Sequence, residues 1–416
     1  MRGERGQAIV LIAIVMSALL LGVGLAVDTG ELYVTRRGAQ LAADAAAWGG
    51  AVVLNNGGTA AAASAAATTD AGRNGFTSGG GTTVTVSVPP ASGSYAGDGS
   101  FVEVGITRSV GGWFFAGTRT VSVRGVAGAT RSGAGHAVLA LRSTGSDALT
   151  VGSGTLTVTG NSGIHVNSNH GSAINIGSGG IVSPYTRVRG GVAPGDAGKI
   201  APAATTGAGL VADPYGTLPG PDTSSLVLRA TNLSLDSGTT TLQPGIYNGG
   251  IRVRNSAVAV LAPGVYVLRG GGTSYGLTLA NSGQIQMQGA TGGVLIYNTH
   301  SAYPAAPGGS PTCGPVDLNT NGQVTLRPQG LGSYAGVSVF QDRACTGTMQ
   351  FRGGGAWTLN GTIYLPSATF SLGGSSGVAQ NIQVIANVVA LSGAASITIA
   401  YAGSNVGGSR VPALVE

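Results

Sequence analysis

Cys313 and Cys345 are the two cysteines of this 416-residue chain, and His136, His165, His170 and His300 are its four histidines. Thiolates and imidazoles are the usual metal ligands, nucleophiles and bases, but their chemistry needs partners at set spacing. Two cysteines are too few for a structural zinc site, and no HExxH, no Cys-x-x-Cys and no aspartate-rich calcium repeat is present. The cysteines allow a single Cys313–Cys345 bridge if the chain leaves the cytoplasm, or two reduced thiols if it stays inside. His165 lies between Ile164 and Val166, so on a strand it points away from their face, and a solvent-facing histidine is expected. Acid–base catalysis needs two positioned groups, and Asp147, Asp196, Asp213, Asp222, Asp236, Asp317 and Asp342 stand isolated. Gly198-Lys199 lacks both the glycine five positions earlier and the following Ser/Thr of a phosphate loop. With 75 glycines, chance G-x-G-x-x-G matches number roughly two and carry no weight. These residues point to a protein that is not an enzyme and needs no cofactor or metal.

Aromatic side chains offer binding chemistry instead. Tyr247, Tyr266, Tyr297, Phe340 and Tyr364 each follow an Ile- or Val-rich run. Stacked outward they would form a carbohydrate platform; stacked inward or along an edge they would form a structural ladder. Asp342-Arg343 reads as a local ion pair or turn.

Composition narrows the class of protein that could carry such residues. Glycine without a G-X-Y period excludes collagen, and 43% hydrophobic with 9% charged residues argues against a disordered chain. The formal charge of +6 comes from arginines scattered between Arg2 and Arg410 and a single lysine, Lys199. No stripe of basic residues with interleaved aromatics emerges, so nucleic acid is not an expected partner.

Residues 8–27, AIVLIAIVMSALLLGVGLAV, contain no charge and no proline. At about 1.5 Å per residue they span about 30 Å, the hydrocarbon thickness of a bilayer. The run passes straight into Asp28, without the small-x-small cleavage site of a secretory signal, and reads as a retained single-pass anchor. A short N-terminal tail is easier to leave inside than to export, which places the C-terminal bulk outside the cytoplasmic membrane. Leu32, Arg36, Gln40, Asp44 and Trp48 recur every four residues, so the helix continues as a stalk. A second alanine-rich helix is expected over 60–71. Alternating segments at 83–88, 101–106 and 120–124 read as strands. Trp113-Phe114-Phe115, between the last two, either packs the core of this small α+β unit or meets a membrane surface or partner.

From about Gly133 onward short strands alternate with glycine, asparagine and serine turns. Pro244-Gly-Ile-Tyr247 recurs at Pro263-Gly-Val-Tyr266, with variants at Tyr297, Phe340 and Tyr364, and Asn-Ser or Asn-Gly pairs recur at Asn161, Asn255, Asn281, Asn321 and Asn360. Spacings of roughly 20 to 40 residues suit a parallel β-helix (solenoid) better than a β-sandwich. The expected layout is a mainly β chain: tail, transmembrane helix and stalk over 1–53, a small α+β unit over 54–131, and the repetitive β domain over 132–416.

Gly6-Gln7-Ala8 before the apolar run, Val27-Asp28, Tyr33, Arg36-Arg37, the stretch from Gln40 to Asp44 and on to Ala47, and Asn74-Gly75-Phe76 carry a resemblance. This N-terminal region resembles TadG-like proteins of the bacterial tight-adherence (Flp) pilus assembly systems, in the TadE/TadG group. The likeness is closest over residues 6–51 and extends loosely to about 131. It implies a structural or assembly role in the envelope, with the bilayer and pilus assembly proteins or pilins as partners and surface polysaccharide as a further one. Gln40 and Asp44 become the expected partner contacts, set against solvation or capping of the stalk. It also implies a processing site at Gly6–Gln7. Prepilin-like relatives carry a glutamate five residues into the mature chain, where this sequence has Leu11. An uncleaved anchor that is not the main pilin follows. The competing class is an anchored β-helix that binds or cleaves carbohydrate.

Overall fold

The computed structural model describes residues 4–55, 58–132, 135–271, 274–307, 311–330, 332–355, 357–373, 379–393, 396–401 and 409–415. It is mainly β, with an apolar helix at the N-terminus. The chain divides into two units. One comprises Met1–Thr130, Leu331–Ser333 and Arg410–Glu416, and the other Arg131–Gly330 and Tyr334–Ser409.

In the first unit, α1 (Glu4–Asn55) is one continuous helix of 52 residues, about 78 Å long at 1.5 Å per residue. Residues 9–23 are exposed on every face, as expected of a segment whose solvent is lipid. Beyond Leu32 the pattern changes. Ala39, Ala42, Ala43, Ala46, Ala47 and Ala51 are buried, facing Ala63, Ala67 and Ala71 of α2 (Ala60–Arg73). Alanine is the best helix former and the smallest side chain that fills space, so the two helices pack closely. The Thr59 hydroxyl caps α2 by accepting from the Ala62 N–H at 3.2 Å.

The strands β1 (Thr82–Ser87), β2 (Phe101–Gly111) and β3 (Thr118–Ser132) pair antiparallel in that order. Val102, Val104 and Ile106, on alternate positions of β2, and Val121 and Val123 of β3 cover the alanine face. β3 passes so close to α1 that a Cβ at Gly125 would lie 2.7 Å from Asp44 Oδ1 and 2.9 Å from the Ala43 carbonyl carbon. The C-terminal strand Ser409–Leu414 lies next to β3 in the same sheet, and the Val415 N–H donates to the Val126 carbonyl at 2.9 Å.

In the second unit all named strand pairings are parallel, which excludes an antiparallel sandwich. The long strands Gly245–Val253 and Trp357–Gly373 bend, and each pairs with a different strand of the ring on either side of its bend. Eight parallel strands therefore form a closed ring: these two, with Gly264–Gly270, Val294–His300 and Val337–Gln341 on one side and Gly276–Asn281, Val316–Thr320 and Met349–Arg352 on the other. Further parallel strands extend it at both ends. Asn255 and Asn281 turn the chain with φ of 58° and 59°, and Asn281 Nδ2 donates to Asn255 Oδ1 at 3.0 Å.

The order of the strands in space differs from their order in sequence. From His136–Ala140 the chain steps to Gly163–Val166 and Thr186–Val188, away from the ring. Residues 202–227 then connect to Leu228–Leu235 at the opposite end, and later strands return until Ala379–Ser392 pairs with His136–Ala140 and Leu149–Val151. Register runs unbroken along one face of this series: Leu228, Ile246, Val267, Tyr297, Phe340, Tyr364, Ile385, Leu139, His165, Arg187. Nine steps of about 4.8 Å make about 43 Å, and the 26-residue connection easily spans that length. The opposite face of the same strands packs into the larger core with Tyr266, Leu268, Ile296, Val339, Ile363 and Val384.

Cys313 and Cys345 form a disulfide with Cα atoms 5.7 Å apart and a sequence separation of 32. Closing a loop of this length stabilises the fold by about 3–4 kcal/mol in the chain-entropy account. Reduction should lower the unfolding free energy of the second unit by about that amount. Denaturant titration with and without reductant measures it; coincident curves would refute it.

Candidate functional site

Two polar clusters organise the first unit. Near the end of the apolar run, Asp28 is buried, and its carboxylate accepts hydrogen bonds from three consecutive backbone N–H groups in the β2–β3 turn. These are Trp113 at 2.9 Å, Phe114 at 3.2 Å and Phe115 at 3.0 Å. Burial pushes this carboxyl up, but the three donors and the charge of Arg119 outweigh it and hold it below its ordinary value. Gly112 makes the geometry attainable, because a Cβ there would meet the Phe115 carbonyl and Asp28 Oδ2. The turn does not fill the core of the sheet: Trp113 is 80% and Phe114 61% exposed.

Twelve residues further along α1, Gln40 Nε2 donates to both Asp44 Oδ1 and the Arg124 carbonyl, each at 2.8 Å. Arg124 in turn donates to Glu103 at 3.1 Å and to the Ser92 carbonyl at 2.7 Å. Gln40 thus bridges the helix to its own sheet, while Asp44 accepts from Gln40 on the same helix and lies against Gly125 of β3. The exposed apolar side chains lie beside them, with Val34 at 66%, Leu41 at 62% and Trp48 at 48%. Their seven-residue spacing puts them on one helix face. Gly6 and Gln7 belong to α1, and their side chains lie outside the described residues.

The second unit buries the aromatics singled out by repetition. Tyr247 and Tyr266 point into the larger core, stacked at 5.9 Å, with hydroxyls donating to the Gln243 carbonyl and to those of Leu242 and Ala262. Tyr297, Phe340 and Tyr364 lie on the other face, which residues 211–226 cover. None of the five is more than 2% exposed, so they form no carbohydrate platform. They are not one ladder either. Tyr247 is in register with Leu268 and Tyr266 with Ile296, whereas Tyr297, Phe340 and Tyr364 are mutually in register.

The covering segment is fastened by polar groups. Arg343 donates to the carbonyls of Leu218 at 2.8 Å and Tyr215 at 2.6 Å, and Tyr364 donates to Asp213 at 2.6 Å. Burial, then Asp213, pushes the Tyr364 phenol strongly up. Asp342 faces elsewhere, accepting from Tyr297 at 2.7 Å and Thr299 at 2.6 Å, so Asp342 and Arg343 serve separate contacts. Asp196 and Lys199 pair at 2.6 Å, and Lys199 also donates to the Ile176 carbonyl at 2.9 Å.

His165 does point away from Ile164 and Val166, but it is 3% exposed rather than solvent-facing, because residues near Val211 cover that end of the face. Its neighbour is His136, with ring centroids 4.9 Å apart, and His136 Nδ1 lies 3.0 Å from the Tyr185 hydroxyl. Burial, then His165 and Arg187, pushes His136 down to about 4. Among the described residues no group of three His, Cys, Asp or Glu side chains could hold a metal ion.

Residues 6–53 match the family model described as Putative Flp pilus-assembly TadE/G-like. The N-terminal segment, including the apolar run, Asp28, Gln40 and Asp44, is thus a TadE/G-like region of the kind found in pilus-assembly proteins. No curated protein and no solved structure matches the chain. With its single long apolar helix, this region fits a membrane-anchored component of a Flp pilus system.

Two outcomes follow. Asp28→Ala removes the acceptor shared by three amides, so hydrogen exchange at Trp113, Phe114 and Phe115 should accelerate while that of β1 is unchanged; equal protection in both proteins would show the carboxylate is dispensable. His136 is neutral in the folded chain, whereas the unfolded imidazole takes up a proton below its ordinary 6.5. Its contribution is therefore complete above pH 6.5 and is lost as pH falls toward about 4. Unfolding followed across that range should show stability declining with acid, with a shallower decline in His136→Gln.

Proposed function

We propose that this chain is a structural, non-catalytic component of a Flp-type pilus-assembly system, anchored once in the cytoplasmic membrane with its C-terminal bulk outside. The observation that carries the reading is that the TadE/G-like match covers a helix whose residues 9–23 are almost wholly apolar and exposed on every face. In this reading residues 1–7 stay inside and α1 crosses with residues 8–27. The parallel-strand unit is a β-helix whose coils contribute three short strands each. Supporting this architecture, strands pair with strands about one turn away along three separate columns, the third running through Thr239–Leu242, Val258–Leu261 and Gln284–Met287. A scaffold rather than an enzyme suits polar clusters that are spent on backbone carbonyls and turns, as those of Arg343 and Lys199 are.

Pilus assembly proteins or pilins are the proposed partners, meeting the exposed Val34–Leu41–Trp48 face of the stalk helix. Gln40 shapes that contact by holding the helix against its sheet, with Asp44 orienting the Gln40 amide.

Native protein from separated membrane and sheared-surface fractions tests the role by N-terminal sequencing and intact mass. A terminus at Met1 or Arg2, confined to membranes, is expected. A Gln7 terminus in sheared material would make the chain a filament component instead. The orientation is tested through Lys199, the only lysine. A membrane-impermeant amine reagent should label it on intact spheroplasts, and Lys199→Arg should abolish that label. Labelling only after lysis would overturn the topology.

A further inference from the structure

The β2–β3 turn, residues 112–117, places large apolar side chains at a depth fixed by α1. Asp28 is the first residue beyond the apolar run, and its carboxylate holds the turn through three hydrogen bonds. One helical turn back, at Gly24, the side chain of Phe114 lies against the helix; a Cβ on Gly24 would be 2.9 Å from Phe114 Cβ. Gly24 and Asp28 are the buried positions in the segment 21–30, where all others are exposed, so the turn covers one stripe of the helix. Gly24 sits three residues before the end of the run, about 5 Å inside its boundary. Phe114 therefore reaches below the edge of the hydrocarbon, and Trp113, 80% exposed, stands beside it.

We propose that this turn is a second membrane anchor, inserting Trp113 and Phe114 into the headgroup–acyl boundary of the lipid leaflet that α1 leaves. The proposal rests on reading residues 8–27 as a membrane span. Tryptophan favours this boundary, where an apolar ring body meets lipid while its N–H stays near water. In water the same two side chains would be an unexplained exposed apolar pair. The occupant follows from continuity. Any bilayer that surrounds Leu20, Leu21 and Leu25, all more than half exposed, also surrounds the stripe that the turn covers. A lipid contact here gives the sheet its own hold on the membrane surface beside α1, which restricts the tilt of the first unit relative to the bilayer.

The test uses the full chain in nanodiscs whose phospholipids carry bromine either near the headgroup or near the acyl-chain ends. Headgroup-proximal bromine should quench a part of the tryptophan emission that is missing in Trp113→Phe, and chain-end bromine should quench it less. Gly24→Leu, which fills the space that Phe114 occupies, should reduce that quenching without changing nanodisc incorporation. Failure of the span would appear as protein that does not enter nanodiscs at all. Efficient incorporation with no Trp113-dependent quenching, and with Trp113 emission open to aqueous iodide, would overturn the proposal and leave the turn for a protein partner.

Discussion

The pairing of Ala379–Ser392 with His136–Ala140 and Leu149–Val151 is the constraint on which the second unit depends. Val384, Ile385 and Ala386 meet Val138, Leu139 and Ala140, about 246 residues apart in sequence. Ile397–Tyr401 joins the same seam by pairing with Thr155–Gly160; without the seam each part of the series would have an additional open edge of unpaired N–H and C=O groups. Buried polar contacts specify the seam. Gln383 Nε2 donates to the His136 carbonyl at 2.9 Å and to the Tyr401 hydroxyl at 3.1 Å, while Gln383 Oε1 accepts from Thr362 at 3.0 Å. Such a group is costly when left unmatched, so a shifted register at the seam would be penalised twice, in packing and in hydrogen bonding.

The seam also accounts for the connection between residues 202 and 227. Once the first strands run away from the junction and the later ones run toward it, the chain must travel the length of the stack. It does so over a face that carries Val267, Leu295, Tyr297, Phe340 and Tyr364, and so turns an exposed apolar surface into a second core. The first unit solves a related problem with different means. One helix meets two environments: residues 9–23 are exposed on every side, as suits a membrane anchor, and beyond Leu32 an alanine stripe packs against protein.

Much of this was legible in the sequence where the signal is local. Alternation at 83–88, 101–106 and 120–124 falls on β1 to β3, and the left-handed turns sit at Asn255 and Asn281. Repetition pointed to a stacked β unit but not to its register. The Pro-Gly-Ile-Tyr and Pro-Gly-Val-Tyr repeats are offset by two residues in the structure, which keeps Tyr247 and Tyr266 on the inner face while Tyr297 falls on the outer one. The burial of His165 was hidden because its cover comes from an aperiodic segment some 45 residues later. The grip of Asp28 on Trp113, Phe114 and Phe115 spans 85 to 87 positions. Its traces were an acid directly after the apolar run and an aromatic triplet preceded by two glycines, neither of which identifies the other. Gln40 and Asp44 stood out through the family resemblance, but the bond from Gln40 to the Arg124 carbonyl and the close approach of Gly125 show which surface they face.

The C-terminal strand Ser409–Leu414 returns to the sheet of the first unit, beside β3, from which the chain first departed. The large second unit is consequently an insertion between two neighbouring strands rather than an appendage on a tether. A single break anywhere in its backbone would leave both resulting pieces attached, one through β3 and the other through the final strand. Releasing the second unit from the first would take two cuts, so its connectivity alone resists proteolytic detachment.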